Sequence, residues 1–399
     1  MIKYSQLSRN SMIQSPVDFD ETEQEETNWS DKQTSLDVVV YGTDWTIETI
    51  ISQLEKGNIQ LNPKFQRRDA WNCTKKSKFL ESLFLGFPIP QIVLAEDTKK
   101  RGSYIVLDGK QRLLSLLQFI GKAEGKNNGF SLKGLDILVS ELEGKSYHEI
   151  KNNLQYIDLI TAFNNQTMRS VILKNWKDEK LLYTIFVRLN TGSVQLSPQE
   201  LRQAMFPGDF SDYVDDVSTK SESLRKLLKI NEPDFRMRDV EILVRYLAFK
   251  NYINKYNGSM RSFLDDTYKQ LNSAWVSISN TIEQQIIDFE LAVDAAISIF
   301  GLDDVARIPE EAGDRRLFNR AIFDVIIFYF SQAAIRDSAL MNSDEVKSAF
   351  SQLWKESNDF SNSVGRATNS QSATRNRFKL WGEKLHSVIH IDFSIPEFS

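Results

Sequence analysis

Apolar residues first recur with helical spacing near position 47, after a long polar start to the chain. Ile47, Ile50 and Leu54 share one face of a helix, and Gly57 is placed to end it. The residues before this helix lack such a period and carry a cluster of six acidic side chains. The pattern therefore predicts an acidic, largely disordered arm over residues 1–42.

Strand-like and helix-like patterns alternate in the next part of the chain. Thr74 is placed to cap a second helix, and Ser197-Pro198-Gln199-Glu200 has the cap, the proline and the third-position glutamate of a helix start. The predicted elements between these two signals are strands over 91–95 and 104–107, a helix over 110–121, a strand over 130–139, a helix over 147–154, strands over 156–160 and 170–173, and a helix over 178–189.

Long helical periods dominate after about residue 207. They predict helices over 240–249, 260–276, 282–300, 317–334, 343–354 and 374–386. The fold class expected is therefore α+β, with a mixed domain over residues 43–207 followed by an all-α helical domain over 208–399.

Composition narrows the function classes. The chain has 399 residues, a net charge of −5, one cysteine and three histidines. A single cysteine excludes internal disulfides and cysteine-based zinc sites, and three histidines give little support to a histidine-metal nuclease centre. The sequence has neither a phosphate-binding G-x-x-x-x-G-K-[ST] loop nor a G-x-G-x-x-G dinucleotide motif. Without a signal peptide or a membrane-spanning run, we expect a cytoplasmic protein with no membrane partner.

The most informative polar stretch lies where a predicted strand meets a predicted helix. Asp108-Gly109 ends the strand, and Lys110, Gln111 and Arg112 open the helix. Free backbone N–H groups and the helix dipole favour a bound anion at such a junction. Lys110 or Arg112 can neutralise phosphate oxygens, and Asp108 can hold Mg²⁺ or orient a water molecule. The alternative is an ordinary Asp-Gly turn with a helix-capping carboxylate.

Two clusters of polar residues are further candidates for phosphate recognition. Gln66 and Arg67 lie between two aromatic residues, where guanidinium can bind phosphate and an aromatic ring can stack on a base. Arg188 and Asn190 lie just before Gly192 and offer a guanidinium and an amide. The structural alternatives are core aromatics with solvated arginines for the first cluster and a helix C-cap for the second.

Polar residues late in the mixed domain and near the C-terminus have less specific interpretations. Glu200 fits a capping box, which leaves Arg202 to reach a site or a salt bridge. Arg366, Arg375, Arg377 and Lys379 are placed to touch a nucleic-acid backbone, or else to form a solvated helix face.

Five motifs in a fixed order between residues 45 and 210 resemble a known family. They are Asn62-Pro63…Phe65-Gln66-Arg67…Trp71, Gly86…Pro88-Ile89-Pro90, Asp108-Gly109-Lys110-Gln111-Arg112-Leu113, Arg188-Leu189-Asn190-Thr191-Gly192 and Leu196-Ser197…Glu200-Leu201-Arg202. On these motifs the chain is similar to the ParB/sulfiredoxin-like family called domain of unknown function 262. That domain type is the N-terminal half of GmrSD-type modification-dependent restriction enzymes and of SspE-type phosphorothioate-sensing defence effectors.

The resemblance implies a ParB/sulfiredoxin-like domain that binds, and often hydrolyses, nucleoside triphosphates in bacterial antiphage defence. The family's Asp-Gly-Gln-Gln-Arg signature falls on residues 108–112, where Lys110 stands in place of the first glutamine. The family's Gln-Arg pair falls on Gln66 and Arg67. Because the chain lacks the histidines of an HNH nuclease domain, the resemblance implies a stand-alone member.

We therefore expect a Mg²⁺-dependent nucleoside triphosphate phosphohydrolase of a defence or restriction system. The catalytic residues expected are Asp108, which is also the metal ligand, Gln111 and Arg112. The nucleotide-binding residues expected are Gln66, Arg67, Gly109, Lys110, Arg188 and Asn190. The alternative is a non-enzymatic DNA- or nucleotide-sensing module that regulates a separately encoded nuclease or toxin, and a third hypothesis is a DNA-nicking enzyme.

Overall fold

The chain divides into two compact units that are described separately below. A computed structural model describes residues 38–61, 70–98, 100–122, 129–176, 181, 182, 185, 197–309, 317–365 and 368–398. The described residues up to Asp216, together with Phe235–Arg238, form the mixed unit, and Val217–Asp234 and Asp239 onwards form the helical unit. The domain borders placed at residues 42 and 207 from the sequence stay predictions.

A five-stranded sheet is the centre of the mixed unit. Its strands are β1 (Val39–Thr46), β2 (Ile59–Gln60), β3 (Ile92–Glu96), β4 (Tyr104–Asp108) and β5 (Thr167–Lys174). The spatial order is β1-β5-β3-β4-β2. The β1–β5 and β3–β4 pairs are antiparallel, and the β3–β5 and β2–β4 pairs are parallel. The sheet and the helical region after it confirm the α+β fold class.

Eight helices accompany this sheet among the described residues. They are α1 (Ile47–Glu55), α2 (Cys73–Phe84), α3 (Lys110–Phe119), α4 (Val139–Leu142), α5 (Tyr147–Lys151), α6 (Ile157–Asn165), α7 (Pro198–Met205) and α8 (Asp209–Lys220), of which the last spans the division between the units.

Alternation along the strands gives the sheet two apolar faces. Leu94 and Val106 belong to a large core with residues of α1, α2, α3 and α6. Ile105 and Leu107 belong to a smaller core with Leu201 of α7. Because successive strand residues point to opposite faces, β4 joins both cores and is fixed from both sides where it ends.

Two strands predicted from the sequence are wrong, and hydrogen bonding explains the first. Residues 129–138 form a loop instead of a strand. The buried Glu81 carboxylate accepts hydrogen bonds from the backbone N–H groups of residues 136–138, and Glu143 accepts those of residues 134 and 135. These carboxylates satisfy donors that would otherwise need a neighbouring strand. Residues 157–160, also predicted as strand, begin α6.

Helix starts follow the polar signals in the sequence, with one difference. Thr46 caps α1, and Ser197 and Glu200 form the predicted capping box of α7. At α2 the cap is Asn72, whose side chain accepts the Lys75 N–H group, instead of the predicted Thr74. Asparagine and threonine are both good caps, so a shift of two residues is a small one.

The helical unit consists of long helices packed around one nearly buried helix. Its members are α9 (Glu222–Leu228), α10 (Arg238–Tyr252), α11 (Met260–Phe300), α12 (Arg320–Phe330), α13 (Ala333–Met341), α14 (Ser343–Glu356), α15 (Asn358–Gly365) and α16 (Gln371–Ile389). The two helices predicted over 260–276 and 282–300 are one continuous helix, α11. Helix α12 is buried along almost its whole length. None of the helices in the described stretches combines the length and the apolar character that crossing a bilayer requires.

Candidate functional site

The junction between β4 and α3 is a tight turn that only glycine can form. Gly109 has φ 95° and ψ 11°, in the left-handed region, and it stands directly before the first residue of α3. A Cβ atom placed on Gly109 would lie 2.5 Å from the Cγ2 atom of Ile92 and 3.1 Å from the Nη2 atom of Arg112. The glycine therefore serves both the backbone conformation and the close approach of β3.

Arg112 holds Asp108 in place on one side of this turn. Its Nη2 atom donates to Asp108 Oδ2 at 2.9 Å and to the Gln91 carbonyl oxygen at 3.0 Å. The Arg112 side chain is 9% exposed, whereas that of Asp108 is 22% exposed. Within the part of the chain that the structure describes, no donor reaches Asp108 Oδ1. The carboxylate is thus oriented by an internal cation while one of its oxygens faces outwards.

The N-terminus of α3 has the features of an anion-binding helix start. No side chain caps it. The first N–H groups of a helix have no partner within the helix, and the dipole places partial positive charge there. Two buried side-chain atoms in the first turn, Gln111 Oε1 and Arg112 Nε, make no hydrogen bond to any described residue. Buried polar atoms without a protein partner are uncommon and are often satisfied by water or a ligand.

Lys110 lies on the other side of the turn and points into the protein. Its Nζ atom is 2.5 Å from Glu200 Oε1, and the two side chains are 5% and 4% exposed. The second carboxylate oxygen, Oε2, accepts the N–H group of Ser197 at 2.7 Å. Glu200 therefore joins the capping box of α7 to the first residue of α3. This geometry gives the Lys110 ammonium an internal partner where the sequence analysis predicted a phosphate.

Of the other residues considered for the site, the structure describes only Arg202. Gln66, Arg67, Arg188 and Asn190 lie outside the described residues. Arg202, predicted to reach a site or a salt bridge, is buried and its Nη1 atom donates to Gln199 Oε1 at 2.7 Å.

Sequence reasoning missed two partners at the turn. One is the carbonyl oxygen of Gln91, which every residue type provides and which no side-chain pattern can therefore reveal. The other is the contact of Glu200 with Lys110, whose residues lie 90 positions apart in the chain. The pairing could have been inferred if both side chains had been expected at buried positions, because charged side chains are seldom fully buried unless they are paired.

Among the basic residues near the C-terminus, Arg366 lies outside the described residues, and Arg377 departs from the solvated face considered for them. Arg377 is fully buried and donates to the carbonyl oxygens of Thr368 and Ser363. Arg375 donates to the Phe398 carbonyl oxygen at 2.8 Å. Arg375 and Lys379 are both exposed, and Lys379 lies 3.8 Å from Glu383. A contact of Arg377 with nucleic acid is excluded by its burial.

Metal ligands are sparse in the residues described. They hold no group of three or more His, Cys, Asp or Glu side chains placed to bind a metal ion. Asp108 does fit a different kind of magnesium binding, because its Oδ1 atom accepts no hydrogen bond from the described residues. Mg²⁺ commonly uses one or two carboxylates and takes its other ligands from phosphate groups and water.

A family comparison covers this part of the molecule. Residues 47–207 match the family described as GmrSD restriction endonuclease, N-terminal domain. The curated proteins and the solved structures gave no match. The matched range includes the β4–α3 turn and α7, so the family resemblance of the sequence motifs is confirmed, and it indicates a component of a restriction or defence system. Residues 47–207 of this chain are therefore similar to the N-terminal domain of GmrSD restriction endonucleases.

Proposed function

We propose that the mixed unit binds a nucleoside triphosphate at the β4–α3 turn and hydrolyses it in the service of a restriction or antiphage defence system. One observation carries this proposal. An uncapped helix N-terminus begins at a left-handed glycine, beside a carboxylate that an arginine holds with one oxygen facing outwards. Such helix starts bind phosphate, and an oriented carboxylate next to phosphate can serve the attacking water.

The roles proposed follow from the contacts. Phosphate oxygens accept hydrogen bonds from backbone N–H groups of the first turn of α3. Water attacks the terminal phosphorus, the bond to the bridging oxygen breaks, and the proton of the water passes to Asp108 Oδ1 or to solvent. Gln111 Oε1 is an acceptor suited to orienting that water, and Arg112 keeps Asp108 in place. Magnesium bound with the nucleotide would neutralise charge on the phosphates.

Gln66, Arg67, Arg188 and Asn190 complete the proposed site on the strength of the family resemblance alone. A cytoplasmic location and contacts with DNA or with a separately encoded nuclease or toxin also stay predictions. The base of the nucleotide is left to the assay, because the described contacts involve phosphate chemistry only.

The test is phosphate release from ATP and GTP with Mg²⁺, measured for the wild type and Arg112→Ala. We expect the variant to lose at least about 100-fold in kcat/KM, the size of loss seen when one preorganised hydrogen-bond donor is removed from an active site. Arg169→Ala is the matched control, because Arg169 is an exposed arginine of the same unit that pairs with Asp44. It should retain wild-type turnover. Circular dichroism establishes that both variants are folded.

Equal turnover in the wild type and Arg112→Ala would contradict the assignment of this turn as the catalytic site. Tight binding of a non-hydrolysable ATP or GTP analogue without turnover would instead favour the alternative, a nucleotide-sensing module. Nicking of supercoiled plasmid by the purified protein would favour the third hypothesis.

A further inference from the structure

We infer that Lys110 and Glu200 are a positioning pair: the lysine holds the phosphate-binding turn against α7 and does not itself contact the nucleotide. This inference rests on the proposed function, because it concerns how the same turn is kept in its binding geometry. It assigns to Lys110 a different role from the phosphate contact expected from sequence, and it adds Glu200 to the residues on which the site depends.

The Lys110 ammonium group is buried beside Glu200. Lys110 is the first residue of α3, so its backbone belongs to the helix start that is proposed to bind phosphate. Its side chain leaves that helix start and reaches Glu200 of α7, where it is about as buried as its partner. The backbone of Lys110 therefore belongs to the proposed phosphate-binding helix start, whereas its side chain forms the ion pair with α7.

The Glu200 carboxylate that accepts from Lys110 is itself fixed in position. Both oxygens of Glu200 are engaged, Oε1 by Lys110 and Oε2 by the Ser197 N–H group. The Ser197 hydroxyl accepts the Glu200 N–H group at 3.1 Å and donates to the Arg236 carbonyl oxygen at 2.6 Å. A carboxylate held from two directions defines the position of its partner closely. The first turn of α7 is therefore a fixed reference point for α3.

An apolar cluster shared by α7 and β4 accompanies the ion pair. Leu201, next to Glu200 in α7, and Leu107, at the end of β4, belong to the same buried cluster. Helix α7 is consequently packed against the strand that leads into the turn. The packing connects α7 to β4, which precedes Gly109, and the ion pair connects α7 to α3, which follows it.

Electrostatics also favour a Lys110 ammonium group that stays paired with Glu200. Withdrawing Lys110 towards a phosphate would leave the buried Glu200 carboxylate without its cation, which is strongly unfavourable in a low-dielectric surrounding. A phosphate at the helix start would also have to compete with a partner already at 2.5 Å. The positive charge offered to a bound nucleotide at this turn therefore comes from the helix dipole and not from Lys110.

The test is a double-mutant cycle of Lys110→Gln, Glu200→Gln and the double variant. The measurements are the affinity for a non-hydrolysable ATP or GTP analogue and kcat and KM for the nucleotide that the wild type hydrolyses. Each single variant should lower kcat at least about 10-fold, because it leaves one buried charge unpaired and displaces the turn. The double variant should return to within about 3-fold of the wild type, because two amides can form a neutral hydrogen bond.

A direct phosphate contact by Lys110 predicts a different pattern and would overturn the inference. Glu200→Gln would then keep or raise affinity, and the double variant would bind as weakly as Lys110→Gln. A pair with a merely structural role would lower the urea midpoint of unfolding but leave kcat and KM of the folded protein unchanged. Lys78→Gln is the control, since Lys78 forms an exposed pair with Asp136 in the same unit.

A second cycle covers the case in which a charge-removing variant fails to fold. Lys110→Arg lengthens one partner and Glu200→Asp shortens the other, so each single variant should lower kcat and their combination should recover it. Additive losses in this cycle would contradict the positioning role while leaving the proposed function intact. A folded wild-type protein that binds neither ATP nor GTP analogue would contradict the proposed function itself, and the inference with it.

Discussion

The mixed unit and the helical unit each bury an ion pair, and the two pairs are built differently. In the helical unit, Arg245 of α10 donates from Nε and Nη2 to the two oxygens of Asp324 of α12, at 3.1 and 2.5 Å. In the mixed unit, Lys110 reaches one oxygen of Glu200, whose other oxygen belongs to a helix cap. Both pairs are almost fully enclosed.

The difference separates a pair that supports the scaffold from a pair that supports a site. The Arg245–Asp324 pair joins the middles of two packed helices, and Asp324 needs its partner because almost every neighbour in α12 is buried. The Lys110–Glu200 pair stands beside a left-handed turn and an uncapped helix start. Breaking the first should mainly lower stability, whereas breaking the second should also change what the turn binds.

The largest expected effect is on the scaffold pair. Asp324→Ala should lower the free energy of unfolding by about 3–5 kcal/mol, because it leaves a buried guanidinium without its carboxylate. Urea unfolding followed by circular dichroism measures this loss. The double variant Arg245→Met with Asp324→Leu should recover most of it, since an apolar pair removes both charges together. A loss below about 1 kcal/mol for Asp324→Ala would mean that the pair is not a structural requirement.

A smaller loss is expected at the turn that the lysine supports. Gly109→Ala should lower the free energy of unfolding by about 2–4 kcal/mol, because the new methyl group meets Ile92 and the left-handed conformation is unfavourable for alanine. Gly57→Ala is the matched control: its φ is +67° but no atom lies within 4 Å of the added Cβ. That control should lose only about 1–2 kcal/mol, the cost of the left-handed conformation. Equal losses at both glycines would argue against a close contact with β3.

Removing the cap that orients Glu200 should have a smaller effect on stability. Ser197→Ala is expected to lose about 1 kcal/mol, the usual value of an N-cap. Because the Ser197 hydroxyl also fixes the first turn of α7, by accepting the Glu200 N–H group and donating to the Arg236 carbonyl oxygen, this variant should also lower kcat for nucleotide hydrolysis. Ser146→Ala, which removes a capping box from α5 in the same unit, is the control. It should lose similar stability in urea unfolding and leave kcat unchanged.

The smallest effect is expected for an exposed pair. Lys379→Ala should change the free energy of unfolding by no more than about 0.5 kcal/mol, because both Lys379 and Glu383 are largely exposed. A change above about 1 kcal/mol in urea unfolding would show that exposure does not separate the strong pairs from the weak ones in this protein.

Much of the fold could be predicted because local signals and tertiary structure agree. The Ser-Pro-Gln-Glu start of α7, the apolar face of α2 and the Asp-Gly end of β4 all lie where the sequence places them. Strand β1 was missed because it is an edge strand whose residues are all exposed or half-buried, so few strongly apolar positions mark it in the sequence. The loop over 129–138 was mistaken for a strand because Glu81, whose carboxylate accepts three of its backbone N–H groups, is distant in sequence.

The candidate site was predictable only in part, for a related reason. Asp108, Gly109 and Arg112 are neighbours in sequence, so their mutual geometry follows from one turn and one helical step. The partner of Lys110 is decided by how α7 packs on the sheet, which no spacing along the chain encodes. A lysine next to a phosphate-binding turn therefore looks like a ligand until its partner is known.

The contact between the first residue of α3 and the capping box of α7 also limits how this domain can be redesigned. A neutral or acidic side chain at position 110 alone would leave the enclosed carboxylate at position 200 without its cation. An engineer who wishes to install the glutamine of the family signature there has to change both positions in one step. The two side chains therefore have to be chosen together, although ninety positions separate them in the chain.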